Sequence, residues 1–486
     1  MNKFSSDEHH TLASLRDDIV GIDSYVPILD GTRRRYVFLD NAASTPTFQS
    51  VISCIENFLP WYSGVHRGTG FKSQIATAIF DNARAFIGDF FGADADENVV
   101  IFGKNTTEAV NKISNRFPFQ HDDIIVTTEM EHHSNDLPWR KHKNIIHIGV
   151  DDDGYLRLDV LKKTLDAYKG KVKLVAVCGA SNITGICNPI YDIARWSHNA
   201  GAKIFVDAAQ LVPHRKINIL PNDDDEHIDF LAFSAHKVYA PFGIGVLIAP
   251  KEIFEHGEPD IVGGGTVKAV SLNDVYWDDA PKKEEAGTPN VVGIIALAKS
   301  LAILEEVGMD AIAQHELELL EYAFRKIQNV PKIVLYGPTK NLRNKVGVIT
   351  FNIEGMHNAL VAAILGTEGA IGIRNGCFCA QPYVKRMLKI SPEDDARLMK
   401  EMVTGNKATM PGMARASLGC YNNEEDIDAF TEMLYRIVRK EYKGEYILNE
   451  SAGSYSAKGF DIDVENFFSF DSSFSEKRDT GYSEAS

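Results

Sequence analysis

From about residue 36 to 300, short runs of apolar, largely β-branched residues alternate with longer segments in which apolar residues return every three or four positions. Short runs of this kind fit strands buried on both faces of a mostly parallel sheet, and the longer segments fit the amphipathic helices that cover it. The pattern predicts strands at 99–102, 124–127, 174–177, 203–206, 230–233 and 245–248. It also predicts a helix over 74–91, where Ile75, Ala78, Ile79, Ala83 and Phe86 fall on one face. After two long helices predicted at 292–306 and 312–327 the texture changes. Strand signals at 333–336, 347–353 and 414–418, closed by a helix at 424–441, predict a second and smaller α+β domain.

Four regions follow: an N-terminal segment, 1–35, expected to pack on the small domain; a large domain, 36–300; a small domain, 301–448; and a tail, 449–486. The tail is rich in Ser, Gly and acids and has neither helical nor alternating period, so it is expected to be disordered. The alternative is that its phenylalanines at 460, 467, 468, 470 and 474 dock onto a partner or onto the protein itself.

Composition narrows the classes. With 51 Lys and Arg against 67 Asp and Glu the formal net charge is −16, which works against nucleic acid or an anionic membrane as the main partner. The six cysteines, at 54, 178, 187, 377, 379 and 420, are too few and too scattered for a disulfide framework, which points to a reducing, cytoplasmic setting. No apolar run reaches the length of a membrane span, and the N-terminal residues lack the apolar stretch of a signal peptide.

The most informative chemistry lies between Ile204 and Lys237. One predicted strand ends in Asp207, and about thirty residues later another runs into His236 and Lys237. Ligands of open α/β sheets collect at the carboxyl ends of strands, so Asp207 and Lys237 are expected to face one crevice. A carboxylate and an amine held there suit pyridoxal phosphate (PLP): the amine forms a Schiff base with the aldehyde, and the carboxylate keeps the pyridine nitrogen protonated. Taken alone, such a pair is more often a strand-end acid and a solvated lysine.

The surrounding segments change that balance. FVDAAQLVPH and FLAFSAHKVYAPFGIGVL, together with YVFLDNAASTP, VHRGTGFKSQIAT, GKNTTEAVN, TEMEHHSNDLPW, ASNITGICNPI, EAGTPN, RNGCFCAQP and MARASLGCYN, resemble in order the class V aminotransferase family of fold type I PLP enzymes. Within it they are most similar to cysteine desulfurases and selenocysteine lyases. The resemblance implies an α/β, fold type I architecture with a large mostly parallel-sheet domain and a smaller α+β domain, a homodimer, and PLP as cofactor. It makes Lys237 the Schiff-base lysine, with Asn105, Thr106, Thr107, Ser234 and His236 around the cofactor phosphate. His132 is similar to the imidazole that stacks on the ring and shuttles a proton. Gln210 is similar to the residue that hydrogen-bonds the phenolic oxygen, and Asn182 to one reaching that oxygen or the substrate carboxylate. His66 falls at a substrate-side position, Arg415 resembles the arginine that grips the α-carboxylate, and Arg374 lies beside it. Gly287 and Thr288 resemble a phosphate contact supplied by a neighbouring subunit. Adjacent His132 and His133 invite zinc, but no Cys or His partner lies at ligand spacing, so no metal is expected.

The sub-function turns on residues 374–379. The short-loop desulfurases carry an Arg-x-Gly-x-x-Cys arrangement, which this chain matches with Cys379 in the nucleophile position. The resemblance then implies that sulfur leaves L-cysteine, or a related amino acid such as selenocysteine, for Cys379 as a persulfide, with alanine released and a sulfur-acceptor protein downstream. Cys377 reads as an alternative acceptor, a resolving thiol or a small buried residue. The GCFC wording and GGGTV at 263–267 also resemble the sulfurase domain of molybdenum cofactor sulfurases. The alternative keeps PLP but makes the reaction that of a C–S lyase, epimerase or aminotransferase, with the Cys377/Cys379 loop not nucleophilic. A segment at 383–411 looks longer than the short-loop group needs, and its role is open.

Overall fold

The computed structural model describes residues 10–405 and 407–470. Its central element is a seven-stranded sheet with spatial order Asn98–Gly103, Gly245–Pro250, Phe230–Ser234, Lys203–Asp207, Val172–Cys178, Ile124–Thr128 and Ile145–Ile148. Five of these strands pair in parallel, and Gly245–Pro250 runs antiparallel to both of its neighbours. All six strands predicted in this region fall in the sheet. The seventh, Ile145–Ile148, is a half-buried edge strand, and so lacks the continuous apolar run that marked the others.

Alternation along the strands explains why the sheet is covered twice. Val100, Phe102, Val126, Val175, Val177, Ile204, Val206, Leu231 and Phe233 point into one core with the helices Gln49–Phe58, Phe71–Phe90 and Val291–Val307. Their neighbours Val99, Ile101, Ile125, Leu174, Ala176, Phe205, Phe230 and Ala232 point into another with the helix Thr106–Arg116, Trp139 and Phe254. A one-residue slip in any strand would exchange the two sets, so register is set by both cores at once.

The smaller domain is a four-stranded antiparallel sheet, Ile333–Tyr336, Val348–Ile353, Met413–Ser417 and Arg374–Gly376, with helices Met309–Ile327, Asn358–Gly369 and Glu424–Val438 around its own core. Arg374 and Arg415 face one another across its last two strands. The segment at 383–411 forms two helices, Gln381–Met387 and Pro392–Val403, the second capped by Ser391 accepting from the Asp394 amide.

Residues 10–35, expected on the small domain, contact both. Leu15 and Ile19 are buried in the large-domain core beside Phe48 and Val51. Arg16 and Arg35 both bond Asp426 of the last long helix, and the strand Val37–Phe38 pairs in parallel with Ile371–Gly372. The C-terminal region differs from expectation. Tyr446–Asn449 and Ser454–Ala457 form an antiparallel hairpin that lies on the helix Asn358–Gly369. It is held by the Tyr446 hydroxyl on Glu368, by Tyr455 against His357, and by the Lys407 amide donating to the Glu450 carbonyl. Hydroxyl, ring and backbone contacts of this kind need no apolar period, so composition missed it. Of the five phenylalanines, Phe474 lies outside the described residues, and Phe468 and Phe470 are exposed.

Candidate active site

A cavity of about 410 Å³ opens at the carboxyl ends of the parallel strands, where the small domain meets the large one. Its lining includes Asn105, Thr106, Thr107, His132, Asn182, Asp207, Gln210, Ser234, His236, Lys237, Arg374, Cys379 and Arg415. Thirteen residues picked from sequence thus meet in one place, whereas His66 and Thr288 do not. Those two share a second cavity, with Gly64, Arg67, Gly264 and Gly287, and there His66 bonds Asp81 at 3.0 Å.

Asp207 ends the strand Lys203–Asp207, and its carboxylate accepts from the Ala209 amide at 3.0 Å. Burial raises its pKa, against the lowering effects of that amide and of Lys237. Lys237 lies in a single helical turn directly after the strand Phe230–Ser234. Withdrawal from solvent pushes its ammonium down to about 8, opposed by Asp207 and assisted by Arg415. A lysine in this state keeps a sizeable fraction of free amine near neutral pH, which nucleophilic addition to a carbonyl requires.

One wall is the start of the helix Thr106–Arg116. Asn105 caps it by accepting from the Glu108 amide, while the Thr106 amide donates to the Ser234 hydroxyl at 2.8 Å. Gly245 lets the neighbouring strand approach, since a Cβ there would lie 2.4 Å from the Asn105 backbone. The result is a helix N-terminus with hydroxyls of Thr106, Thr107 and Ser234 around it, a combination suited to a phosphate.

His132 stands opposite. Its Nδ1 accepts from the Ser134 amide at 3.1 Å, and the Ser134 hydroxyl bonds Thr107 at 2.7 Å, so the turn carrying the ring is tied to the helix start. Burial, then Lys237, His133 and Arg415, push the imidazole down to about 3, so it is neutral, with its proton assigned to Nε2. Burial likewise brings His236 down to about 4.

Arg415, on the strand Met413–Ser417, is 2% exposed. It donates to the Asn182 carbonyl at 2.8 Å and to Asp40 at 3.3 Å, stacks 4.7 Å over the Phe378 ring, and leaves its Nε without a partner. The Asn182 side-chain amide donates to the Phe378 carbonyl at 2.8 Å, which ties the Cys379 loop to the large domain. Gln210 donates to the Ala42 carbonyl, and its Oε1 is buried without a partner. Two residues of the cavity lining that each carry a buried, unpartnered polar atom, beside a helix start ringed by hydroxyls and an acid–lysine pair, fit PLP. When bound, PLP supplies an electron sink for the substrate α-carbon. Lys237 would hold it covalently, Asp207 its ring nitrogen, and Thr106, Thr107 and Ser234 its phosphate.

Sequence reasoning missed Asp40, Ser134 and Phe378. Asp40 sits inside a quoted motif, LDNAAS, but a lone acid carries no signal of its own. No cluster of three or more His, Cys, Asp or Glu among the described residues is arranged to hold a metal.

This arrangement of sheet, second domain and strand-end cavity is that of the fold type I PLP enzymes. The chain belongs to the class-V aminotransferase family, whose model matches residues 37–430. It is 36% identical over 417 residues to a probable cysteine desulfurase of Halalkalibacterium halodurans, covering 84% of this chain and 94% of that one. A probable cysteine desulfurase of Staphylococcus epidermidis is 36% identical over 428 residues, covering 86% and 96%. Among solved structures, the apo cysteine desulfurase of Thermococcus onnurineus superposes with a TM-score of 0.77 at 32% identity, covering 90% of this chain and all of that one. A cysteine desulfurase of Escherichia coli gives 0.73 at 25% identity over the same shares.

Proposed function

We propose that the protein is a PLP-dependent cysteine desulfurase that moves sulfur from L-cysteine to Cys379 and releases L-alanine. The observation that carries this reading is the placement of an exposed Cys379 on the lining of the cavity that also holds Lys237, Asp207, His132 and Arg415. The relatives named as cysteine desulfurases support it.

Arg415 orients the substrate by its carboxylate, using the N–H groups that Asn182 and Asp40 leave free. The Lys237 amine, in the same cavity, would serve as the base for the substrate α-proton, and the neutral His132 carries a proton on Nε2 within that cavity. Cys379 attacks the substrate sulfur: the carbon–sulfur bond breaks, a sulfur–sulfur bond forms, and the former Cβ gains a proton. The thiol and cysteine thus become persulfide and alanine without an outside oxidant. Phe378 and Cys379 both have positive φ, 50° and 54°, so the backbone turns sharply at the nucleophile. The His133 amide, bonded to the Cys379 carbonyl at 2.6 Å, holds that turn.

The same proposal includes a homodimer and a sulfur-acceptor protein. Val270, Leu272 and Tyr276 are exposed on and around the hairpin Val267–Val270 and Val275–Trp277, a surface that a second copy would cover. Thr288 and His66, remote from Lys237 within one chain, would then serve the partner's cavity. All six cysteines are free thiols, which supports a cytoplasmic setting, and among the described residues no helix is long and apolar enough to cross a membrane. The test supplies L-cysteine and a dithiol and quantifies alanine and sulfide together. Equal yields that vanish in Cys379→Ala are expected. Pyruvate and ammonia in place of alanine would make the protein a lyase.

A further inference from the structure

Two arginines in register on neighbouring strands, Arg374 and Arg415, bring like charges face to face, an arrangement that is unfavourable unless something lies between them. Asp40 does. One oxygen accepts from Arg374 Nε at 2.9 Å, and the other accepts from Arg415 Nη2 at 3.3 Å and lies 3.3 Å from Arg374 Nε. The Asp40 side chain is 15% exposed, that of Arg415 2% and that of Arg374 52%.

Asp40 is itself fixed from a third direction. It follows the strand Val37–Phe38, bridges Ser417 two residues beyond Arg415, and offers its carbonyl to the Ala43 amide. The Asn41 side-chain amide donates to the Ser417 carbonyl at 2.9 Å. The carboxylate therefore sits on a rigid edge, while Arg415 reaches the cavity through a long side chain whose head must be aimed. Asp40 on Nη2 and the Asn182 carbonyl on Nη1 fix the plane of the guanidinium at the wall of the cavity that Arg415 lines.

We infer that Asp40 is a positioning residue for carboxylate recognition, holding Arg415 and Arg374 as a preset receiver for the α-carboxylate of the amino-acid substrate. Asp40 is not among the residues lining the cavity and acts through the two arginines. It also offsets one of their two charges, leaving one net positive charge for one carboxylate. The inference rests on the reading of Arg415 given above.

The test compares two ligands by the change each makes in the visible spectrum of the holoenzyme: L-alanine, which carries a carboxylate, and ethylamine, which does not. In Asp40→Asn the dissociation constant for L-alanine is expected to rise about 10-fold or more, as for loss of a hydrogen bond to a charged group, while that for ethylamine stays within about 2-fold. For L-cysteine, KM is expected to rise more than kcat falls. Unchanged or tighter alanine binding would overturn the inference, and so would equal weakening of both ligands, which marks general damage to the cavity. Where Asp40→Asn does not fold, Asp40→Glu, which keeps the charge and displaces it, is expected to weaken alanine selectively. Arg415→Gln separates the two readings: if it binds alanine as the parent does, Arg415 is not the carboxylate receiver. If it loses alanine while Asp40→Asn does not, only the role of Asp40 fails.

Discussion

Cys377 and Cys379 are separated by Phe378 alone, yet their thiols meet different surroundings. Cys377 is 6% exposed and donates to the Pro411 carbonyl at 2.9 Å, and burial pushes its pKa up to about 11. Cys379 is exposed and lines the cavity. A buried thiol with a carbonyl partner is held as the weak nucleophile of the two, since the thiolate is the reactive form. After a pulse of L-cysteine, mass spectrometry is expected to find the added sulfur on Cys379 in the parent and in Cys377→Ala, and on neither cysteine in Cys379→Ala. A persulfide that disappears only in Cys377→Ala would move the nucleophile by two residues.

Lys237 is expected to account for the colour of the protein. Lys237→Ala should lose the visible absorbance of covalently held PLP and all turnover, and borohydride should fix no pyridoxyl group at that peptide. A trapped adduct of unchanged mass in the variant would refute the assignment.

The neutral state of His132 has a consequence for acid stability. Its pKa is about 3 in the folded chain against the ordinary value of 6.5, so the unfolded chain binds the extra proton between those limits. Its contribution is therefore present above pH 6.5 and is lost as pH falls toward 3, by at most about 1.4 kcal/mol per unit. Urea unfolding of the PLP-free protein at pH 7.5 and 5.0 should show a smaller drop in His132→Asn than in the parent. An equal drop would mean that the imidazole titrates alike in the folded and unfolded chain.

Truncation should distinguish two parts of the C-terminal region. Ending the chain after Lys458 is expected to leave stability and cofactor binding unchanged. Tyr446→Phe, which removes the hydroxyl donated to the buried Glu368, should cost about 1–2 kcal/mol by denaturant titration while PLP affinity stays the same. A neutral Tyr446→Phe would show that the hairpin is only laid on the surface.

Much of the fold was legible because strands buried on both faces write themselves as continuous apolar runs: Leu174 to Val177 and Phe230 to Phe233 are examples. The edge strand at Ile145 and the hairpin at Tyr446 were not legible, since one is half exposed and the other is held by hydroxyl and backbone bonds. The site was readable wherever a residue carries its chemistry in its type, as Lys237 and Asp207 do. It was opaque where a residue acts through others: Asp40 gains its meaning only from two arginines more than three hundred positions away. Asn182, marked for the cofactor or substrate, spends its amide on the Phe378 carbonyl, a partner no sequence pattern announces.

The bond from Arg16 to Asp426 spans 410 positions of chain, and the pairing of Val37 with Ile371 is nearly as distant. On a ribosome adding ~5–20 residues per second, the segment around Arg16 waits about 20–80 s for the partner that completes it. During that interval the strand edge at Val37 and Phe38 is open, and Leu15 and Ile19 depend on the large domain alone for cover. The N-terminal part of the chain is therefore expected to reach its final packing only after the small domain has been made.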